Sequence, residues 1–126
     1  MATVRKVNEL DELLKHMRTP FLEVWAELED EQSICALVNN EKNLGWLMYL
    51  RTPDDAGFSS RNPDYVGPPS TVIQYRLENG QMDEYPAFWA LQGDKIFQAL
   101  RDFLLHQRPP SWVVWHNDSG DGATLN

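Results

Sequence analysis

Apolar residues recur along this chain with two periods, and the places where the period changes mark its elements. Leu10, Leu13, Leu14 and Met17 repeat at three- and four-residue spacing behind Asn8, a residue type that caps helix starts, and Pro20 stops the pattern. A first helix is expected there. From Leu22 the period falls to two. Leu22, Val24, Ala26 and Leu28 alternate with Glu23, Trp25 and Glu27, which predicts a half-buried strand with an indole between two carboxylates on its outer face. The expectation is that a neighbouring element covers Trp25; exposed, it would anchor an interface.

An acidic turn at residues 29–32 leads to a second strand at Ser33–Asn39, and a polar turn leads to a third. In the third, Leu44, Trp46, Met48 and Leu50 alternate with Gly45, Leu47, Tyr49 and Arg51, apolar on both faces, which predicts a central strand covered by a helix on one side. Residues 72–77 and 81–85 flank Asn79-Gly80, a two-residue hairpin signal. With Glu78 opposite Gln81, Arg76 falls across from Asp83 as a cross-strand ion pair. Asp94 is the expected N-cap of a second helix. Ile96, Phe97, Leu100, Phe103 and Leu104 form its core face, with Lys95, Gln98, Arg101 and Asp102 on the other side. Pro109 and Pro110 end that helix and turn the chain into a strand over residues 112–115, apolar on both faces.

These elements predict an α+β fold, an antiparallel sheet of about five to six strands packed against an N-terminal and a C-terminal helix. The expected order is α-β-β-β-(long loop)-β-β-α-β. One domain spans residues 1–116, and residues 117–126, rich in Gly, Asp and Ser, form a flexible tail. The long connection, residues 52–71, holds four prolines and two glycines and offers Asp54, Asp55, Ser59, Ser60, Arg61, Asn62, Asp64 and Tyr65. Loops of this length in compact domains are uncommon and tend to be functional or disordered. Its polar residues either present themselves to a partner or bond back to the loop's own carbonyls.

At 126 residues the chain suits one globular unit. No apolar run is long enough to cross a bilayer and no signal-peptide segment opens the chain, so a cytoplasmic protein without membrane contact is expected. The single cysteine, Cys35, sits in an apolar run and reads as structural. The net charge of −8 is uneven: residues 19–93 hold twelve acids and four bases, while the two ends nearly balance. Such a field repels nucleic acid and attracts a basic protein, with solubility as the plain alternative. No phosphate-cradling glycine loop, nucleophile elbow or metal-spaced histidine pair appears, so no catalytic residue, metal ligand or cofactor is assigned.

The segments LGWLMYL, GFSSRNP, ENGQ, DEYPAFW and FLLHQRPPSWVVWH, in this order and spacing, carry a resemblance. Over roughly residues 22–115 the chain resembles the first-numbered family of immunity proteins from bacterial polymorphic toxin systems, most specifically at Ser59-Ser60-Arg61-Asn62-Pro63 and from Arg108-Pro109-Pro110 to Trp115. The resemblance implies an α+β protein without turnover that binds a secreted toxin domain, often a nucleic-acid cytosine deaminase with a zinc centre. Arg108-Pro109-Pro110 and Trp115 are expected to fix the helix-to-strand turn. On this reading Asp54, Asp55, Phe58, Ser59, Ser60, Arg61, Asp64 and Tyr65 of the loop, Glu78, Asp83, Glu84 and Tyr85 of the hairpin, and Trp25 meet a basic toxin in a one-to-one complex. Two other classes stay open: an adaptor domain with a different partner, and a small-molecule enzyme that closes the loop over an anion held by Arg61.

Overall fold

The stretch at Ser33–Asn39 is apolar on both faces, and the fold is built on either side of it. In the computed structural model, which describes residues 2–16 and 19–125, the elements begin β1 (Ala2–Val4), α1 (Val7–His16), β2 (Phe21–Glu27), β3 (Ser33–Asn39), β4 (Leu44–Leu50) and β5 (Phe58–Arg61). They continue with β6 (Val72–Arg76), β7 (Met82–Pro86), a 3-10 turn (Ala87–Trp89), β8 (Leu91–Gln92), α2 (Gly93–His106) and β9 (Val114–Asn117). The main sheet runs β1-β2-β3-β4-β5-β9, with β8 beside the start of β4. All its pairings are antiparallel except β1 with β2, which is parallel. The α+β architecture is the one expected, with the hairpin β6–β7 as a separate two-stranded sheet.

Two cores follow from the alternation. Val24 and Ala26 of β2, Ile34, Ala36 and Val38 of β3, and Leu47 and Tyr49 of β4 face the helices, where Leu10 of α1 and Ile96, Ala99, Leu100 and Phe103 of α2 meet them. Gly45 belongs to this face, and a Cβ there would lie 2.6 Å from Ile96 Cγ1, so the closeness of α2 requires glycine. The opposite face carries Trp25, Cys35, Leu37, Trp46 and Met48, covered by Ile73, Tyr75 and Tyr85 of the hairpin. β4 is therefore central and two-sided as expected, one side under helix and the other under hairpin. Trp25 is half-buried against this second core, as its pattern predicted.

Several local expectations are corrected. Asn8 lies inside the first turn of α1, and Glu9 closes the end, accepting the N–H groups of Arg5 (2.8 Å) and Lys6 (3.0 Å), half of a capping box. Met17 lies outside the described residues. Asp94 is likewise within the first turn of α2, where it favours the helix dipole; the N-cap is Gln92. The last strand is Val114–Asn117 rather than 112–115, and it is an edge strand with Val114 48% exposed, because α2 packs over β2, β3 and β4 and leaves the sheet edge half covered. Trp115 does fix the turn, donating from Nε1 to the Pro110 carbonyl at 3.1 Å.

The hairpin register is shifted by one: Tyr75 pairs with Asp83 and Arg76 with Met82. Gly80 alone of the turn residues takes a positive φ, 90°, and both Gly80 N to Leu77 O and Leu77 N to Gln81 O measure 2.9 Å. That is a three-residue loop with a glycine bulge rather than a two-residue turn. No Arg76–Asp83 pair forms; the Arg76 guanidinium lies 5.8 Å from the Phe21 ring centre. The long connection is also no single loop, since β5 interrupts it and joins the sheet as its penultimate strand, between β4 and the edge strand β9. After β9 the chain folds back. Asn117 Nδ2 donates to the Ala123 carbonyl (3.0 Å), Arg51 pairs with Asp121 (2.9 Å), and Ala123 and Leu125 pack on the helix-side core.

Candidate functional site

The hairpin covers only part of its sheet face. β6 packs over β2 and β3, fastened where Asn39 Nδ2 donates to the Gln74 carbonyl (3.0 Å) and the Glu78 N–H donates to Glu23 Oε1 (3.1 Å). Toward the other end of the face, where β2 stops, β3 starts and β4 stops, Glu27, Ser33 and Leu50 lie side by side across the register. With Trp25, Leu28, Glu31, Gln32, Pro53 and Arg5 they line a groove of about 440 Å³. Its floor and walls are apolar at Trp25, Leu28, Leu50 and Pro53, and its carboxylates are Glu27 and Glu31. The indole is held from behind, its Nε1 donating to Glu23 Oε2 at 2.7 Å.

The same sheet end gathers acids from three connections. Glu29, Asp30 and Glu31 sit in the β2–β3 turn, Asp54 and Asp55 after β4, and Asp118 and Asp121 after β9, because Glu27, Ser33, Leu50, Phe58 and Asn117 all end or begin strands here. Their roles divide. Asp55 forms a two-toothed pair with Arg51, Asp121 pairs with the same guanidinium, and Asp118 accepts from Ser59 Oγ (2.6 Å) and pairs with His116 (2.8 Å). Hydrogen bonds from Arg51 hold the Asp55 carboxyl well below the usual carboxylate range. Glu29, Glu31 and Asp54 are exposed, and their carboxylates make no hydrogen bond or ion pair among the described residues. Of the acids gathered at this end of the sheet, these three are the unpaired ones among the described residues.

The other residues singled out from the sequence are dispersed. Phe58, Ser59 and Ser60 are 1%, 2% and 0% exposed on β5, between β4 and β9, which removes them from any surface contact. Ser60 Oγ donates to the Trp89 carbonyl (2.9 Å) and accepts the Leu47 N–H (3.1 Å). Arg61 bonds back to Ser59 Oγ (2.9 Å) and the Ser60 carbonyl (2.8 Å), with its guanidinium 4.0 Å from the Trp89 ring centre, and burial pulls its pKa down. Arg61 thus bonds back within its own segment, whereas Ser59 and Ser60 reach Asp118 and Trp89 outside it. Tyr85 is a core residue stacked on Trp46 at 4.4 Å, its phenol pushed up to about 12 by burial and by Asp83. Tyr65 is half-buried and donates to the Pro68 carbonyl (2.9 Å). Asp64 and Glu84 are exposed, Asp83 accepts from Gln81 (2.8 Å) and Tyr85 (3.2 Å), and Glu78 lies at the hairpin tip beside Glu23.

Sequence reasoning did not single out Glu27, Leu28, Glu29, Glu31, Leu50 or Pro53 as a site. A signal was present: in an antiparallel meander, alternate connections fall at one end, so an acidic turn after β2 and an acidic loop after β4 must meet. Cys35 is buried, which raises its thiol pKa and suits the structural role read from its apolar run. Among the described residues no group of three or more His, Cys, Asp or Glu side chains is placed to hold a metal ion, and no helix is long and apolar enough to cross a membrane. No curated protein matches the chain. A family model described as Immunity protein Imm1 matches residues 1–117, nearly the whole chain, and the protein accordingly belongs to the Imm1 family of immunity proteins.

Proposed function

We propose that this chain neutralises a cognate secreted toxin domain, a nucleic-acid cytosine deaminase, by binding one-to-one in the cytoplasm and covering the toxin's substrate groove. A deaminase that acts on nucleic acid needs a basic channel to hold phosphates and a pocket for the extruded base above a zinc-bound water. A protein that fills the channel stops the reaction without turnover of its own. Family membership supports the toxin-immunity role. The observation that carries the mechanism is the end of the sheet at which Glu29, Glu31 and Asp54 stand unpaired around a groove floored by Trp25. The free carboxylates would accelerate encounter with a basic channel, and the half-buried indole would set the lifetime of the complex.

The experiment is to mix the purified chain with the toxin domain encoded beside it and follow complex formation and deamination of single-stranded DNA. A one-to-one complex with suppressed deamination is expected, and Asp54→Lys with Glu29→Lys should slow association most at low salt. A toxin that remains free and fully active overturns the proposal. A tight complex with a toxin that has no deaminase activity overturns the deaminase assignment and keeps immunity by binding.

A further inference from the structure

Arg5 occupies an unusual place. Its guanidinium lines the groove and pairs with Glu27 at 2.9 Å, yet its side chain remains 66% exposed. A surface ion pair of this kind is weak and exchanges readily. The groove around it has the composition that a guanidinium selects. Trp25 lines it with an indole, an aromatic partner for a planar cation, Glu27 and Glu31 offer carboxylate oxygens for a forked donor, and Leu28, Leu50 and Pro53 offer an apolar wall for the methylene stem. An ammonium uses the carboxylates but gains less from the ring and the fork.

Resting on the proposed toxin-binding role, we infer that this groove receives an arginine side chain of the toxin, and that Arg5 is an intramolecular stand-in which that arginine displaces. Charge complementarity names the occupant: the groove's own carboxylates already hold one guanidinium, and an arginine from a basic channel would arrive where Glu29, Glu31 and Asp54 are unpaired. Arg5 then acts as a competitor, so free protein binds more weakly than it would with the groove vacant. Removing Arg5 leaves the helix start intact, because the bond from residue 5 to Glu9 is made by the backbone N–H.

The test is the dissociation constant of the complex with the toxin domain for the parent chain and for Arg5→Ala, Lys6→Ala, Trp25→Ala and Glu31→Gln. Arg5→Ala and Lys6→Ala remove the same charge at neighbouring exposed positions, and only the first vacates Glu27. Arg5→Ala should tighten binding about two- to fivefold beyond Lys6→Ala, the range a surface ion pair allows. Trp25→Ala should weaken it about tenfold or more. Glu31→Gln, a surface change that leaves the fold undisturbed, should weaken it in the same direction. Equal effects of Arg5→Ala and Lys6→Ala, or a loss with Arg5→Ala, overturn the displacement while the complex itself still stands. Failure of the parent chain to bind the toxin overturns the proposed function, and the groove's role falls with it.

Discussion

Asp55 accepts three hydrogen bonds from one residue: Arg51 Nε at 2.8 Å and the Arg51 backbone N–H at 3.0 Å reach Oδ2, and Nη2 at 2.9 Å reaches Oδ1. The Asp55 side chain is 6% exposed, so this pair closes the chain after β4 from within. Its carboxyl is held below the ordinary range by those bonds. A folded-state pKa below the unfolded one means that the contribution is complete above the ordinary carboxylate pKa of about 4 and is lost as pH falls through the folded value. The urea midpoint of the parent chain should therefore drop on acidification below about pH 4, more steeply than that of Asp55→Asn. At neutral pH Asp55→Asn should cost about 2 kcal/mol. Parallel pH profiles for the two proteins would contradict the assignment.

Ser60 shows what a polar residue within a sheet requires. Its hydroxyl is fully buried, donating to one carbonyl and accepting one N–H from different elements. Ser60→Ala strands both backbone groups and should lower stability by about 2 kcal/mol in chemical denaturation. Toxin affinity measured well below the melting temperature should stay unchanged, since Ser60 touches no surface. A large loss of affinity with normal stability would return this motif to the interface.

Glu31 sits in the left-handed region at φ 76°, a conformation that costs a non-glycine residue about 1 kcal/mol. Asparagine tolerates it better. Glu31→Asn should raise the urea midpoint by the equivalent of about 0.5–1 kcal/mol while weakening toxin binding, because it relieves the backbone and removes a free carboxylate together. The pairing of opposite signs is the signature; a variant that is less stable and binds as tightly would show that the side chain serves the turn instead.

Much of the fold was legible because local burial leaves a period. The Leu10 stripe, the alternation through Val24 and Ala26, the two-faced strand from Leu44 to Leu50 and the apolar face of α2 each repeat at a spacing set by backbone geometry, and prolines and glycines cut them where φ is constrained. From the sequence alone come the α+β class, the central strand, the half-covered Trp25 and the acidity of the connections. Tertiary structure decided the rest, since it depends on partners far along the chain. Ser59, Ser60 and Arg61 read as loop because short polar strands have no apolar period; the two serines are buried because Leu47, Trp89 and Asp118 satisfy them, and Arg61 is half-buried over Trp89. Asp54 and Asp55 are adjacent and alike in sequence, yet one is exposed and the other locked to Arg51. The hairpin's one-residue shift came from how Asn79 and Gly80 share the turn, a choice of backbone dihedrals that the dipeptide alone leaves open. The groove joins Arg5, Trp25, Glu27, Leu28, residues 31–33, Leu50 and Pro53, which only the path of the chain through the sheet brings to one end.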